Sequence, residues 1–176
     1  MNRSPRKATS LLNAYYELTK PSITFLILIS TALGFYLGSD GNINYLKLFI
    51  TLIGSSFVSS GSGALNHFLE AKTDSLMYRT KLRPIPSGMI ESKVVLIFGV
   101  FLVIFGSVLL FIFINKLTSF LSLLTAILYL FVYTPLKKIT WLNTSIGAIP
   151  GAIPPLGGWA AAAGIIQPEA WILFTI

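Results

Sequence analysis

The chain has no cysteine, so it forms no disulfide and offers no thiolate metal site. It also has little charge. Only 11% of its 176 residues are Asp, Glu, Lys or Arg, where soluble domains carry about 25%. That scarcity excludes an ordinary soluble domain. Acids are scarcer than bases, six against thirteen, which leaves a net charge of +7. Such a balance can signal nucleic acid. Here, however, 54% of the residues are hydrophobic and the mean hydropathy is +0.77. The basic residues stand between long apolar runs, as the positive-inside bias of membrane proteins places them. The expected partner is therefore a lipid bilayer, and no nucleic acid is expected.

A helix needs about 20 residues to cross a hydrocarbon core of about 30 Å. Residues 1–20 are basic and polar and form an amino-terminal segment ahead of the membrane. The apolar run after Pro21 is too long for a signal-peptide core, and no small-residue cleavage site follows it. The reading is an all-α membrane protein with five spans: 21–38, 45–70, 93–115, 117–136 and 141–164. A sixth apolar run starts at Glu169. Eleven basic residues, in the amino-terminal segment and in the loops after the second and fourth spans, then fall on one side. Only Lys47 and Lys116 fall on the other. The bias puts the amino terminus and the 70–93 loop in the cytoplasm.

Two spans are not uniformly apolar. The second half of span two is crowded with Ser55, Ser56, Ser59, Ser60, Gly61, Ser62 and Gly63. Small residues there either let helices pack closely or form the wall of a ligand cavity. Span five carries Pro150, Pro154 and Pro155 among several glycines. Proline removes a helix hydrogen bond, and freed backbone in a membrane packs against protein or lines a cavity. Both readings stay open for both spans.

The chemistry concentrates where span two ends. Asn66, Glu70 and Asp74 are spaced by four, so they lie on roughly one face of a helix. A carboxylate at the bilayer centre costs about 2.5–3.5 kcal/mol on insertion scales, so such a face should look into a cavity or sit at its mouth. Arg79, Lys81 and Arg83 follow at once. Mg²⁺ takes one or two carboxylates together with phosphate oxygens and water. Glu70 and Asp74 could supply the carboxylates and Asn66 an amide oxygen. Arginine forks match phosphate oxygens, so Arg79 and Arg83 could hold a diphosphate. Tyr133, Lys137 and Lys138 lie at the same end of span four. They read either as an interfacial tyrosine with a positive-inside pair or as further diphosphate contacts. His67, the only histidine, reads as a packed or solvated residue, with haem ligation the other possibility.

These residues carry a resemblance. Asn66, Glu70, Asp74, Met77, Arg79, Thr80, Arg83 and Pro84 are similar to the first acidic motif of the protohaem IX farnesyltransferases, a branch of the UbiA-type intramembrane prenyltransferases. The stretch from Tyr133 to Lys138 resembles that family's tyrosine–lysine segment, and the run from Asn143 to Ala161 resembles its fifth helix. The resemblance implies a bundle of nine transmembrane helices around a central cavity, of which residues 21–176 are the amino-terminal part. It implies farnesyl transfer from farnesyl diphosphate to a vinyl group of haem B, giving haem O for terminal oxidases, with haem A synthase downstream. It implies Mg²⁺ and a bacterial inner membrane. Asn66, Glu70 and Asp74 would take the catalytic metal–diphosphate role, Arg79 and Arg83 the phosphate role, with Tyr133, Lys137 and Lys138 beside them. Position 70 is Glu where Asp is commoner. The family's second acidic motif is not reached, so the chain reads as truncated and is expected to be inactive by itself. Two other functions remain open: prenyl transfer to a quinone precursor or chlorin, and secondary transport through broken helices.

Overall fold

The computed structural model describes residues 10–137 and 139–175. Among them every regular element is helical. The helices are α1 (Leu11–Leu18), α2 (Pro21–Leu37), α3 (Tyr45–Leu76), α4 (Ser92–Phe113), α5 (Lys116–Ile127), α6 (Thr134–Leu136), α7 (Asn143–Ala163) and α8 (Ala170–Thr175). A π-helical turn, Leu128–Tyr133, joins α5 to α6. Arg3, Arg6, Lys7 and Lys138 lie outside the described residues.

Local chemistry sets the ends of these helices. Asn44 accepts from the Lys47 amide at 3.0 Å and Asn115 from the Thr118 amide at 2.7 Å, the usual side-chain caps for free N–H groups. Proline at the first position opens α2. Gly164, at φ 82°, closes α7 in the left-handed region.

Among the described residues three helices are long and apolar enough to cross a membrane: α3, α4, and the run from Lys116 to Leu136. Joined to α1 across a bend of 43°, α2 makes a fourth. The sequence suggested five. By itself α2 has 17 residues, and α7 spends many of its 21 on Gly, Ala and Pro, which carry little apolar surface. With 32 residues α3 is longer than a bilayer core requires, about 48 Å at 1.5 Å per residue. About 20 residues from Tyr45 bring it to Leu65. Asn66, Glu70 and Asp74 therefore stand at and beyond the membrane's edge, where charge is affordable.

Glycine sets the two closest helix crossings. A Cβ on Gly61 would lie 2.7 Å from the Gly99 carbonyl oxygen, and one on Gly106 would lie 2.6 Å from that of Gly54, so α3 and α4 touch backbone to backbone. On the other side of the bundle Gly34 of α2 abuts the Pro155 carbonyl, and Gly158 of α7 abuts the Thr31 carbonyl. Small residues thus pack helices, as one reading of spans two and five held. The other reading holds as well: Ser55, Ser59, Pro150 and Pro154 line a cavity of about 280 Å³ bounded by α2, α3, α5 and α7.

Substituting Gly34 by Val should cost about 1–3 kcal/mol, because the Pro155 carbonyl carbon would sit 2.6 Å from the first added carbon and backbone cannot yield cheaply. Gly151→Ala should be neutral or stabilising by up to about 1 kcal/mol, since nothing lies within 4 Å of the added methyl and Ala is the better helix former. Thermal unfolding of the purified protein in one detergent would rank the two against the parent chain.

Candidate active site

The three polar residues at the end of α3 each have their own partner. Spacing of four on a helix of 3.6 residues per turn drifts by about 40° at each step. Each side chain consequently meets a different neighbour. Asn66, fully buried, accepts from the Lys20 ammonium and donates to the Thr134 hydroxyl at 3.0 Å. Glu70 takes the Lys137 ammonium at 3.3 Å. Asp74, 4% exposed, takes Arg83 at 2.6 Å.

Asp74 also ends its helix. Its carbonyl accepts from the Thr80 hydroxyl at 2.9 Å, and the Arg83 guanidinium folds back onto its carboxylate. The turn from Met77 to Pro84 is thereby pinned over the end of α3. Of the two arginines the sequence singles out, the structure brings Arg83 to the carboxylates. Arg79 sits exposed on the same turn and joins neither ion pair.

Two residues that sequence reasoning left out complete the cluster. Lys20 occupies the break between α1 and α2 in a left-handed conformation, φ 47° and ψ 58°. The residue before a proline is normally held to extended backbone, and left-handed strain costs about 1–3 kcal/mol. In return its ammonium reaches Asn66, lies 3.2 Å from the Tyr129 hydroxyl and stands 5.9 Å from that ring's centre. Charge-assisted hydrogen bonds contribute about 1.5–3 kcal/mol each, enough to hold the strain. The available signal was a lysine set directly against the proline that opens an apolar span.

Tyr129 is the second omission. It lies four residues before Tyr133 on the π-helical turn, and the two rings stack with centres 5.7 Å apart. Single π-helical turns are rare and recur at functional sites. Tyr133 lines the cavity, its ring backs onto Gly147, and the Lys137 ammonium lies 4.9 Å from its centre. Lys20, Tyr129 and Tyr133 line the cavity, so the charged cluster meets a mostly apolar chamber through Lys20, while Asn66, Glu70, Asp74, Arg83 and Lys137 stand behind it and are not among its lining residues. His67 is packed, 3% exposed, and does not line it.

The donor set suits a hard divalent ion in kind, two carboxylates and an amide oxygen on one helix. It does not by itself make a closed cage. Among the described residues no three His, Cys or acidic side chains come together, and each carboxylate is already matched by a cation. A site of this composition fits an ion that shares its coordination with a phosphorylated ligand.

An apolar intramembrane chamber with paired carboxylates and cations at one end defines a class of membrane enzyme. The chain belongs to the UbiA prenyltransferase family, whose model matches residues 27–176. It is 46% identical to a protoheme IX farnesyltransferase of Solibacter usitatus over 92% of its own length and 59% of that protein's. It is 41% identical to the protoheme IX farnesyltransferase of Trichodesmium erythraeum over 98% of its length and 54% of the relative's. The chain thus spans between half and two thirds of the curated relatives it matches. A solved structure of digeranylgeranylglyceryl phosphate synthase superimposes with a TM-score of 0.75 at 25% identity, covering 93% of this chain and 57% of that one.

Breaking the Arg83–Asp74 pair isolates its structural share. Arg83→Met leaves the buried Asp74 carboxylate without its cation and should cost about 1–3 kcal/mol. Adding Asp74→Asn should restore part of that loss, because the stranded charge is gone. Unfolding midpoints of the two variants, compared with Asp74→Asn alone, measure the coupling.

Proposed function

We propose that this protein transfers the farnesyl group of farnesyl diphosphate to a vinyl group of haem B. The carbon–oxygen bond to the diphosphate breaks and diphosphate leaves, the farnesyl carbon joins the outer vinyl carbon, and water adds its hydroxyl to the inner one and gives up a proton to solvent, giving haem O. The observation that carries the reading is the junction, at Lys20, of a mostly apolar chamber with a charged cluster made of Lys20 before α2, Glu70 and Asp74 of α3, Arg83 of the following turn and Lys137 after α6. A prenyl diphosphate has that same division, a hydrocarbon tail and a polyanionic head. Membership of a prenyltransferase family and the names of the relatives favour prenyl transfer over transport, and haem over a quinone precursor.

Each group then has a task. Glu70 and Asp74, with Asn66, would hold Mg²⁺, which when bound neutralises the departing diphosphate. Lys20, Arg83 and Lys137 exchange their internal partners for phosphate oxygens and stabilise the charge that grows as the bond breaks. Arg79 and Lys138 extend the positive rim. Thr134 holds the Asn66 amide in one orientation, so its oxygen faces the site. The apolar chamber keeps water from the allylic cation until it meets the vinyl group. Residues 1–20 form the amino-terminal cytoplasmic segment and residues 21–176 belong to one prenyltransferase domain. The product serves terminal oxidases directly or after haem A synthase, and the protein sits in a bacterial inner membrane with the 70–93 loop in the cytoplasm.

Asp74→Asn in the full-length protein should abolish haem O in a strain lacking its own enzyme while leaving the protein in the membrane. The amide keeps size and polarity but loses the charge that a divalent ion needs. Haem extracts resolved by chromatography decide it, and unchanged haem O would remove Asp74 from the chemistry. The topology has its own test. The chain has no cysteine, so Glu91→Cys, at an exposed position, adds a single thiol. It should resist a membrane-impermeant reagent in intact cells and react after lysis; labelling of intact cells would invert the orientation.

A further inference from the structure

We infer that Gly157 sets the length of isoprenoid chain that the cavity accepts, an inference that rests on reading the cavity as the seat of a prenyl diphosphate. Two adjacent glycines of α7 stand in opposite surroundings. A Cβ at Gly158 would collide with the Thr31 carbonyl and lie 2.8 Å from the Phe35 nitrogen. A Cβ at Gly157 would meet nothing within 4 Å, and Gly157 lines the cavity. Gly158 is small so that α2 can approach. Gly157 has no such neighbour, and what its missing side chain leaves is space inside the chamber.

Position along the helix turns that space into a length. The charged end of the cavity is marked on α7 by Gly147, whose added Cβ would lie 2.5 Å from the Tyr133 ring. Gly157 is ten residues further, about 15 Å at 1.5 Å per residue. A tail whose diphosphate sits by Lys20 and Tyr133 reaches Gly157 with its last isoprene unit. The wall in between suits hydrocarbon. Thr31 and Thr125 line it, and their hydroxyls donate to the Ile27 and Leu121 carbonyls at 2.8 Å, so their protons are committed within their own helices. Ile27, Leu121 and Ile153 add apolar surface, and Ser62 and Ser122, which also line it, donate to the Val58 and Ser119 carbonyls at 2.8 Å; Thr118 is the polar exception.

Gly151 provides the contrast. It also lines the cavity with nothing within 4 Å of an added Cβ, but it lies only about 6 Å past Gly147. A side chain there meets the first isoprene unit, which every prenyl diphosphate possesses. A side chain at Gly157 meets only those long enough to arrive.

The test uses the full-length protein in membranes, with its abundance quantified, and a photoreactive farnesyl diphosphate as probe. Ten-, fifteen- and twenty-carbon prenyl diphosphates compete for labelling in the parent protein, Gly157→Ala, Gly157→Val, Gly157→Leu and Gly151→Leu. Gly157→Leu should weaken the fifteen- and twenty-carbon competitors by about tenfold or more, while the ten-carbon one changes by less than about twofold. Ala and Val should fall in order between, and they carry the ranking if the Leu variant does not accumulate. Gly151→Leu should weaken all three alike. Equal losses at every length across the Gly157 series, or no losses, would overturn the inference. A parent protein that no prenyl diphosphate protects would overturn both this inference and the proposed donor. A parent that binds these donors yet makes no haem O would overturn the proposed acceptor and leave the inference standing.

Discussion

One half-buried ammonium joins three parts of this structure. Lys20 donates to Asn66 of α3 and to Tyr129 of the π-helical turn, and Asn66 passes a further hydrogen bond to Thr134. Residues 46, 109 and 68 positions apart in the chain are tied by these three bonds. The constraint behind it is the cost of an uncompensated charge beside a hydrocarbon core. Lys20, Glu70, Asp74, Arg83 and Lys137 all stand at one end of the chamber, and each of them has a partner. The pairing is what allows so many ionisable groups to share one place. On the proposed function, a polyanionic ligand would enter by exchanging these partners rather than by filling a vacant shell.

The helix crossings make the room for that cluster. Backbone contact between α3 and α4, and between α2 and α7, draws the outer helices together through glycine. The second face of each of α2, α3 and α7 is then turned toward the cavity. At the opposite end Asn115 donates to the Ala160 carbonyl at 2.8 Å and Lys47 reaches the Ala162 carbonyl at 3.4 Å, fastening the starts of α5 and α3 to the end of α7. The chamber is thus pinned at both ends by polar bonds and flanked by small-residue contacts. The polar bonds satisfy groups that lipid could not.

Much of this was legible in the sequence, because membrane helices announce themselves by apolar length and charged faces by periodicity. The α3 motif and the helix bounds were within reach of those rules: α2 and α7 lie within two residues of the expected spans, while α3 runs six residues past its expected end. Lys20 was not, since its role depends on a backbone conformation and on neighbours far along the chain. The π-helical turn was equally hidden: its extra residue leaves no trace in composition, yet it decides where Tyr129 points. Gly157 and Gly158 are chemically identical in the sequence, and only packing separates a contact from a space. The arginines show the same limit. Arg79 and Arg83 share one motif, but only Arg83 is folded back to Asp74.

The central claim is that a diphosphate replaces the internal partners of this cluster, with Lys20 among the groups that receive it. The most direct measurement is the affinity of the full-length membrane protein for farnesyl diphosphate, with and without Mg²⁺, in the parent and in Lys20→Met. The account predicts binding that depends on Mg²⁺ and weakens by about tenfold or more in Lys20→Met, a loss of about 1.4 kcal/mol. Equal affinity in both proteins, with or without the metal, would contradict it.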